Sequence, residues 1–367
     1  MQKQNNLYTR VSTEEFEVIE FQKTIKQAKI LSPLKNFEEE TITFEYRTDP
    51  LTGRNTTVIK GMLGYVGKFL SSDPDMLKTL VEKTRATCPF CPESVKDKTP
   101  MFTKDFLPEG RITEGEAIIV PNLTGHAECS VLAVLGREHH RALNGFTTEL
   151  LFDGFNGGVR YLKQLSQVKT SARFPVFVFN YLTPAGSSIF HPHMQILARD
   201  RPFFLVGLQL GKSREYFERN RSSFWRDLTA SEKNGQRWLA ESDNIKWIVP
   251  FAPLRGINEV QAVVREKSNL LELGDDDWRA LAHGITKVLA FYHSQGYVSF
   301  NIILTSGPLD EHLDYFDVNL RIVSRPGIQE FCFTDAWALP YLLWDGEAVE
   351  EPEKLAEKLK PFFKEDM

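Results

Sequence analysis

The order of predicted secondary structure repeats within the chain, and this repeat restricts the fold more than any other feature of the sequence. The first copy contains four predicted strands and one helix, at 117–121, 128–135, 147–167 (the helix), 175–181 and 190–197. The second copy keeps this order, at 246–250, 259–266, 275–295 (the helix), 298–304 and 316–326. The first strand of each copy ends in Ile-Val-Pro, which favours a diverged duplication over two unrelated halves.

Two copies of a strand–strand–helix–strand–strand unit predict an α+β fold built from duplicated antiparallel sheet and helix. A chain of 367 residues is also too long for one ordinary core and suggests about two domains. We therefore predict an N-terminal domain over 1–198 and a C-terminal domain over 199–367. The first helix has a predicted weak point at Gly154, Gly157 and Gly158, because glycine lowers helix propensity.

The composition argues against several functional classes. A hydrophobic content of 42% and a charged content of 25% are typical of soluble globular proteins, and a net charge of −5 gives no reason to expect nucleic-acid binding. The first ten residues lack the apolar core of a secretion signal, and no run of about 18 apolar residues predicts a membrane span. Four cysteines fit the reducing cytoplasm, and we interpret the isolated Cys129 and Cys332 as small buried hydrophobic residues.

Three polar side chains alternate along the last predicted strand of the first copy. His191, His193 and Gln195 occupy every second position, and alternate residues of a strand share one face. Met194 is then expected to face the core, and Pro192 argues against a helix here. The pattern is compatible with a half-exposed strand that carries surface histidines, or with a functional site.

The second copy provides an internal comparison for these residues. Its equivalent positions hold Asp317, Asn319 and Arg321, and it also lacks a counterpart of the pair Cys88 and Cys91. The candidate site residues therefore occur together in one copy and are missing together from the other. This distribution predicts one functional half and one scaffold half.

Cys88 and Cys91 are separated by two residues, which is the spacing of a zinc knuckle. The alternative is a redox pair, but such a pair usually opens a helix after a strand in a thioredoxin-like unit, and that pattern is not found here. A tetrahedral zinc site needs two further ligands. The candidates are His126, His139, His140, His191 and His193.

Together, the Cys-x-x-Cys pair and the distant His-Pro-His-x-Gln segment resemble the galactose-1-phosphate uridylyltransferase family of the histidine-triad superfamily. Three further segments resemble this family in the same order: Tyr-Arg-Thr-Asp-Pro-Leu-Thr-Gly at 46–53, Phe-Thr-Lys-Asp-Phe at 102–106 and Glu-His-His-Arg-Ala-Leu at 138–143. The matches span about residues 45–198. The resemblance implies an enzyme with two tandem histidine-triad-like domains.

The resemblance also implies a metal site and a nucleophile. By position, the ligands of one structural zinc ion would be Cys88, Cys91, His139 and His191. His140 adjoins His139 and is the alternative ligand at that point. His193 would attack the α-phosphorus of a nucleotide through one ring nitrogen, while a backbone carbonyl of the same strand holds the other ring N–H.

Gln195 bears on the type of reaction. Hydrolases that resemble this chain carry a third histidine at this position, and transferases carry glutamine, which cannot titrate to activate water. The resemblance further implies that Ser188 contacts phosphate near the reacting centre. The other implied substrate contacts are Arg47, Asp105, Asn180 and Ser187.

The implied function is transfer of a nucleoside monophosphate between a nucleoside diphosphate sugar and a sugar 1-phosphate or phosphate, through nucleotidyl-His193, as in hexose-1-phosphate uridylyltransferases. The second half departs from the family: Asn319 and Arg321 replace a His-x-His pair, so the second metal of some members is not expected. The hexose-recognition segment is not recognisable in 331–340, and Lys104 replaces an asparagine. Adenylyl transfer or phosphorolysis, as in ADP-glucose phosphorylase or diadenosine tetraphosphate phosphorylase, is therefore the alternative.

Two other hypotheses are a histidine-triad hydrolase, which Gln195 opposes, and a non-catalytic zinc-stapled nucleotide-binding protein. The presence of both His193 and Gln195 opposes the second, since binding needs neither. The expected partners are a nucleotide sugar and a sugar phosphate or phosphate, with neither nucleic acid nor membrane. The sequence leaves open the base, the sugar and the oligomeric state, including a homodimer.

Overall fold

The computed structural model describes residues 19–168, 171–255, 257–331 and 333–364. Fourteen strands lie in these residues: β1 Lys23–Ser32, β2 Glu38–Thr48, β3 Asn55–Ile59, β4 Ile112–Glu114, β5 Ala117–Pro121, β6 Cys129–Leu135, β7 Phe174–Tyr181, β8 His193–Arg199, β9 Trp238–Ser242, β10 Ile245–Ile248, β11 Val260–Val264, β12 Phe300–Thr305, β13 Val318–Ser324 and β14 Gly346–Ala348. The same residues contain eight α-helices: α1 Met62–Val66, α2 Pro74–Arg85, α3 Val95–Lys98, α4 Thr148–Gln167, α5 Phe204–Asn220, α6 Phe224–Glu232, α7 Asp275–Ser294 and α8 Pro352–Lys364. The sequence predictions about a secretion signal and about Cys332 concern residues outside the described ranges, and Cys129 is half-buried.

Ten strands form one antiparallel sheet to which both halves of the chain contribute. Their order across the sheet is β4-β5-β6-β8-β7-β12-β13-β11-β10-β9. Strands β7 and β12 meet at the centre, and equivalent strands of the two halves follow in the same order outward from it. At this junction, Asn180 of β7 is paired with Asn301 of β12. The predicted α+β fold with duplicated sheet-and-helix units is confirmed.

Helices α4 and α7, the long helices of the two copies, pack against each other and cover one face of the ten-stranded sheet. Met194 and Ile196 of β8 are 1% and 0% exposed and belong to the core on this covered face. Because side chains alternate along a strand, His193 and Gln195 lie on the opposite face. We call this opposite face the open face of the sheet.

Helix α4 lies very close to the sheet at its glycines. A β-carbon on Gly158 would lie 2.5 Å from the ring of Phe177, and a β-carbon on Gly154 would lie 2.4 Å from a methyl group of Leu135. Glycine therefore lets α4 lie nearer to the sheet than any other residue would allow. The helix is continuous through the predicted weak point, because packing outweighs the low helix propensity of these residues.

The fourth strand of the first copy begins at His193, three residues after its predicted start. Pro192 has no N–H to offer the sheet, although its carbonyl accepts a hydrogen bond of 2.9 Å from the amide of Leu135. His191 consequently lies in the segment just before β8, where it is completely buried.

A second, smaller sheet connects early and late parts of the chain in the order β1-β2-β3-β14. Strand β14 pairs parallel to β3, with Gly346 opposite Thr56. The buried guanidinium of Arg47 in β2 binds the carboxylate of Glu353 in α8 through hydrogen bonds of 2.9 and 2.8 Å. The sequence pattern did not predict this sheet or α8.

The division into domains after residue 198 stays a prediction. This position lies one residue before the end of β8, and the ten-stranded sheet continues across it. Of the helices that the structure describes, none has the length and apolar character needed to cross a membrane.

Candidate metal centre and nucleophile

Four buried side chains from three separate segments meet beside the open face. Each offers one ligand atom, and the four atoms lie within 4.8 Å of one another: Cys88, Cys91, His139 and His191. The cysteines follow α2, His139 follows β6, and His191 precedes β8. The structure therefore brings together the four residues that the sequence predicted as metal ligands.

Contacts outside the cluster orient the two histidine rings. The hydroxyl of Thr84 donates to the carbonyl of Leu80 at 2.7 Å, so it accepts from Nε2 of His139 at 3.0 Å. Nε2 of His191 donates to the carbonyl of Gly136 at 3.2 Å. Both rings are thereby left with a free lone pair on Nδ1.

Each of these Nδ1 atoms faces the same sulfur. The distance to Sγ of Cys91 is 3.4 Å for His139 and 3.7 Å for His191. A histidine that donates one ring N–H to an oxygen and presents its other nitrogen to a shared point has the usual arrangement of a metal ligand. Two sulfurs and two imidazole nitrogens form a donor set that can hold a metal ion.

The charge states of these groups also suit a metal centre. Burial raises the pKa of the Cys91 thiol to about 12, and the neighbouring Cys88 acts in the same direction. Burial lowers the pKa of His191 to about 4 and also lowers the pKa of His139. The imidazoles are therefore neutral, as ligands must be, while thiolates in this cluster would need a nearby cation to become stable.

The remaining histidine candidates lie elsewhere. The ring of His140 stacks against Tyr181, with a centroid distance of 6.2 Å, and is not a member of the cluster. His126 is exposed. Of these two adjacent histidines, His139 therefore enters the cluster and His140 does not.

His193 is held in one orientation at the start of β8. Its Nδ1 donates to the carbonyl of His191 at 2.9 Å, so Nε2 carries the lone pair. Burial lowers the pKa of His193, which keeps the ring neutral. The ring of Phe90, which lies between the two cysteines in sequence, packs against His193 at a centroid distance of 5.1 Å. The side chain therefore combines a fixed ring with an available nitrogen lone pair.

The loop between β7 and β8 contains two positive backbone φ angles, 65° at Leu182 and 85° at Gly186. The hydroxyl of the buried Ser187 donates to the carbonyl of Ile189 at 2.7 Å and so stabilises the loop. Ser188 is exposed. Of the two serines predicted to contact substrate, Ser188 presents its side chain to solvent and Ser187 is engaged within the loop.

The other predicted substrate contacts are dispersed. Asn180 accepts a hydrogen bond of 2.6 Å from Asn301 across the β7–β12 junction, and Asp105 is exposed in a turn. Arg47 is only 1% exposed, and both Glu45 and Glu353 bind its guanidinium. A substrate contact by Arg47 would have to break one of these buried ion pairs.

The second copy retains part of the geometry of the first. Nδ2 of Asn319 donates to the carbonyl of Asp317 at 2.7 Å, which reproduces the bond from His193 to the carbonyl two residues earlier. Asp317 forms an ion pair with Arg265, and Arg321 forms an ion pair with the buried Glu259.

Sequence reasoning missed four contributors to the site: Thr84, Phe90, the carbonyl of Gly136, and Asn301. Phe90 lies inside the Cys-x-x-Cys motif, which was a signal for its position. Thr84 and Gly136 act on residues about 55 positions away, and no local pattern marks them.

No protein-family model matches the chain. In sequence, the chain is 28% identical over 350 residues to an uncharacterized protein from Archaeoglobus fulgidus, and the match covers 95% of this chain and all of that protein. This similarity extends through both halves of the fold.

Solved structures resemble the chain over most of its length. A GalT-like protein from Arabidopsis thaliana has a TM-score of 0.64 at 18% identity, and an ADP-glucose phosphorylase with bound ADP-glucose from the same plant has 0.65 at 17%. In both cases 86% of this chain and 98% of the other chain are covered. A uridylyltransferase has a TM-score of 0.63 at 19% identity, with 88% and 99% covered. The chain therefore has the fold of these GalT-like structures, and the predicted resemblance is confirmed at the level of fold.

Proposed function

We propose that this protein is a nucleotidyltransferase that moves a nucleoside monophosphate between a nucleoside diphosphate sugar and a sugar 1-phosphate or phosphate, through a covalent nucleotidyl-His193 intermediate. The observation that carries the proposal is the hydrogen bond from Nδ1 of His193 to the carbonyl of His191, at 2.9 Å. This bond fixes the tautomer and directs a neutral Nε2 away from the strand, as a nitrogen nucleophile requires.

The reaction consists of two displacements at the same phosphorus. In the first, Nε2 of His193 attacks the α-phosphorus, a P–N bond forms, and the bond from phosphorus to the bridging oxygen breaks. The leaving sugar 1-phosphate takes the electron pair of that bond. In the second, a phosphate oxygen of the acceptor attacks the same phosphorus, and the P–N bond breaks to return the electron pair to Nε2. No net proton transfer to the imidazole is needed when the acceptor is already an anion.

Gln195 lies two residues after His193 on the same face of β8, where its amide can donate a hydrogen bond to a phosphoryl oxygen. It offers no basic group to activate water, which favours transfer over hydrolysis. We assign phosphate contacts to Ser188 and Asn180, ribose to Asp105, and support of the loop to Ser187. A substrate role for Arg47 would require rearrangement of its two ion pairs.

We propose zinc as the metal, because two thiolates and two imidazoles are its usual tetrahedral ligands. Cys88, Cys91, His139 and His191 would hold it, and a full set of four protein ligands would make it structural. His191 also provides the carbonyl that orients His193, so the metal centre and the nucleophile share one residue.

Uridylyl transfer to a hexose 1-phosphate is the leading form of this function, and adenylyl transfer or phosphorolysis is the second. Lys104 stands where the family that this chain resembles has an asparagine near the base. This difference is a reason to test the second form as well. The fold is equally similar to a uridylyltransferase and to an ADP-glucose phosphorylase. None of the described cysteines is in a disulfide, which suits action in the reducing cytoplasm.

Mass spectrometry of the intact protein tests this proposal. The protein is incubated separately with UDP-glucose, UDP-galactose and ADP-glucose, without an acceptor, and then quenched without acid. We expect the mass of the protein to increase by one nucleoside monophosphate, either with the two uridine donors or with the adenine donor. We expect no increase in the His193→Gly variant. Free nucleoside monophosphate that accumulates without an acceptor would instead identify a hydrolase, and the absence of any adduct and any turnover would refute the transfer function.

A further inference from the structure

A cavity lies on the open face where the two halves of the sheet join. Its volume is about 380 Å³, and its polar lining consists mainly of Asn180, Arg255, Glu259, Asn301, Arg321 and Arg325. We call this cavity the seam pocket. A second cavity of about 310 Å³ adjoins it, and Val178, Ile303 and Arg321 line both. Together they form a trough of a size that holds small metabolites.

Hydrogen bonds hold the polar lining in place across the junction. Arg325 binds Asp335 at 2.5 Å and the side-chain oxygen of Asn301 at 2.5 Å, and Asn301 donates in turn to Asn180 at 2.6 Å. This chain of contacts connects the residue that follows β13 to β12 and β7. The wall of the seam pocket is therefore preorganised by residues of both halves.

The seam pocket is positively charged overall, because it is lined by three guanidinium groups and two carboxylates: Arg255, Arg321, Arg325, Glu259 and Asp335. Glu259 is 2% exposed and binds Nη1 of Arg321. A guanidinium has five N–H donors, so this bond uses a fraction of the donors of Arg321. Arg255 is exposed at the rim. Arg255 and Arg321 can therefore bind an anionic group that enters the pocket, and guanidinium groups suit phosphate in particular.

The seam pocket begins one strand away from the nucleophile. Val178 of β7 is paired with Gln195 of β8, and paired residues of antiparallel strands have side chains on the same face. Neighbouring strands are about 4.8 Å apart. A molecule in the seam pocket can thus extend a phosphate toward the position that His193 and Gln195 face.

We propose that the seam pocket binds the sugar phosphate, as leaving group in the first displacement and as acceptor in the second. This inference rests on the proposed transfer function. Arg255 and Arg321 bind the phosphate, and carboxylate and amide oxygens of the pocket accept hydrogen bonds from sugar hydroxyls. The scaffold half therefore contributes the acceptor site, although it lacks a nucleophile. A cavity of about 380 Å³ is larger than orthophosphate requires, which favours a phosphorylated sugar over free phosphate.

Isothermal titration calorimetry with glucose 1-phosphate tests binding directly. Arg255→Ala removes a charge-assisted hydrogen bond and should weaken binding about tenfold. Ile303→Phe fills both cavities without a change of charge and should weaken binding at least as much. The control is Arg201→Ala, since Arg201 is an exposed arginine outside the pocket and its loss should leave the affinity unchanged. Wild-type affinity in both pocket variants would overturn the proposal.

Half-reactions distinguish this proposal from the transfer function itself. A nucleoside 5′-phosphorimidazolide can load His193 with imidazole as the leaving group, so this step does not use the sugar-phosphate site. Arg255→Ala should slow discharge of the loaded protein by glucose 1-phosphate about tenfold more than it slows loading. Equal effects on the two steps would overturn the assignment of the pocket. If the wild-type protein forms no adduct with any donor, the transfer function fails, and calorimetry still decides whether the pocket binds sugar phosphate.

Discussion

His193 and Asn319 occupy equivalent positions in the two halves and make the same hydrogen bond. Nδ1 of His193 donates to the carbonyl of His191 at 2.9 Å, and Nδ2 of Asn319 donates to the carbonyl of Asp317 at 2.7 Å. Only the imidazole has a second nitrogen with a free lone pair. The duplication therefore preserves the orienting contact in both halves, and only the first half keeps the side chain that we propose as the nucleophile.

The first prediction follows from this comparison. Asn319→Ala should leave formation of the covalent adduct intact even if substrate affinity falls, because the amide has no reacting nitrogen. The variant should lose about 1–3 kcal/mol of unfolding free energy, since the buried Gln261 amide donates to Asn319 at 3.2 Å and would lose its partner. Adduct formation is followed by mass spectrometry and stability by urea unfolding. A folded variant without adduct would show that the second half takes part in bond breaking.

The second prediction concerns the nucleophile. His193→Gly should lose turnover but keep its metal, because His193 is not one of the four clustered ligands. Added imidazole should restore one half-reaction by forming free nucleotidyl-imidazole. Tethering gives the native side chain a large effective concentration, worth roughly 7 kcal/mol or more, so rescue should be partial and need high imidazole. Normal turnover without imidazole would exclude His193 as the nucleophile.

The matched variant His191→Gly should behave differently. It removes a clustered ligand, so bound metal measured by atomic emission should fall together with activity. Full metal content in this variant would contradict the proposed ligand set.

The third prediction uses two threonines of α2. Thr84 accepts from His139 at 3.0 Å, whereas the hydroxyl of Thr79 donates to the carbonyl of Asp75 at 2.9 Å. Thr84→Val should weaken metal retention about 10–100-fold in a chelator competition, because the His139 ring loses its outer contact. Thr79→Val should retain metal as the wild type does. Equal retention in the two variants would mean that Thr84 does not orient His139.

The fourth prediction concerns the packing of α4. Gly158→Ala should destabilise the protein by about 1–3 kcal/mol, because the new methyl group would lie 2.5 Å from Phe177. Gly211→Ala in α5 is the control: its β-carbon meets nothing within 4 Å, so helix propensity alone should stabilise by up to about 1 kcal/mol. Thermal and urea unfolding measure both. The packing argument fails if Gly158→Ala is as stable as the wild type.

The fifth prediction is a pH dependence of stability. Burial opposes ionisation of Glu353, but hydrogen bonds and charges of Arg47 and Arg237 outweigh it and lower its pKa from 4.5 to about 2. A lowered folded-state pKa gives a stabilising contribution that is complete above about pH 4.5 and is lost as the pH falls toward about 2. The difference in unfolding free energy between wild type and Glu353→Gln should therefore be large at pH 7 and shrink below pH 4.5.

The control for this effect is Glu357→Gln, an exposed position on the same helix. It should change the unfolding free energy little at any pH. A constant difference between wild type and Glu353→Gln from pH 7 to pH 2.5 would contradict the assignment.

The strands and helices of the duplicated unit were predictable because the apolar residues of each element recur at regular spacing. The predicted helix over 147–167 and the observed α4 differ by one residue at one end. The membership of the four-residue cluster was predictable because Cys-x-x-Cys, His-x-His and the segment at 138–143 are local patterns in the order of a family that the sequence resembles. Thr84 and the carbonyl of Gly136 were not, since their roles depend on contacts between distant segments.

The small sheet could not be predicted for a related reason. Residues 23–31 of β1 are exposed on both faces, so the strand shows no apolar alternation that would mark it. A substrate contact of Arg47 stays a prediction that rests on the motif at 46–53. Its observed partner Glu353 is 306 positions away, and sequence gives no sign of such a pairing.

The parallel pairing of β3 with β14 also has a consequence for synthesis of the protein. Thr56 reaches its partner Gly346 only after about 290 further residues have been translated, which takes about 15–60 s at ordinary rates of elongation. During this time strand β3, which continues from the β1–β2 hairpin, has no partner along the edge that β14 later covers. The earliest strands among the described residues are thus among the last to be secured, and this open edge is where a chaperone would have most to protect.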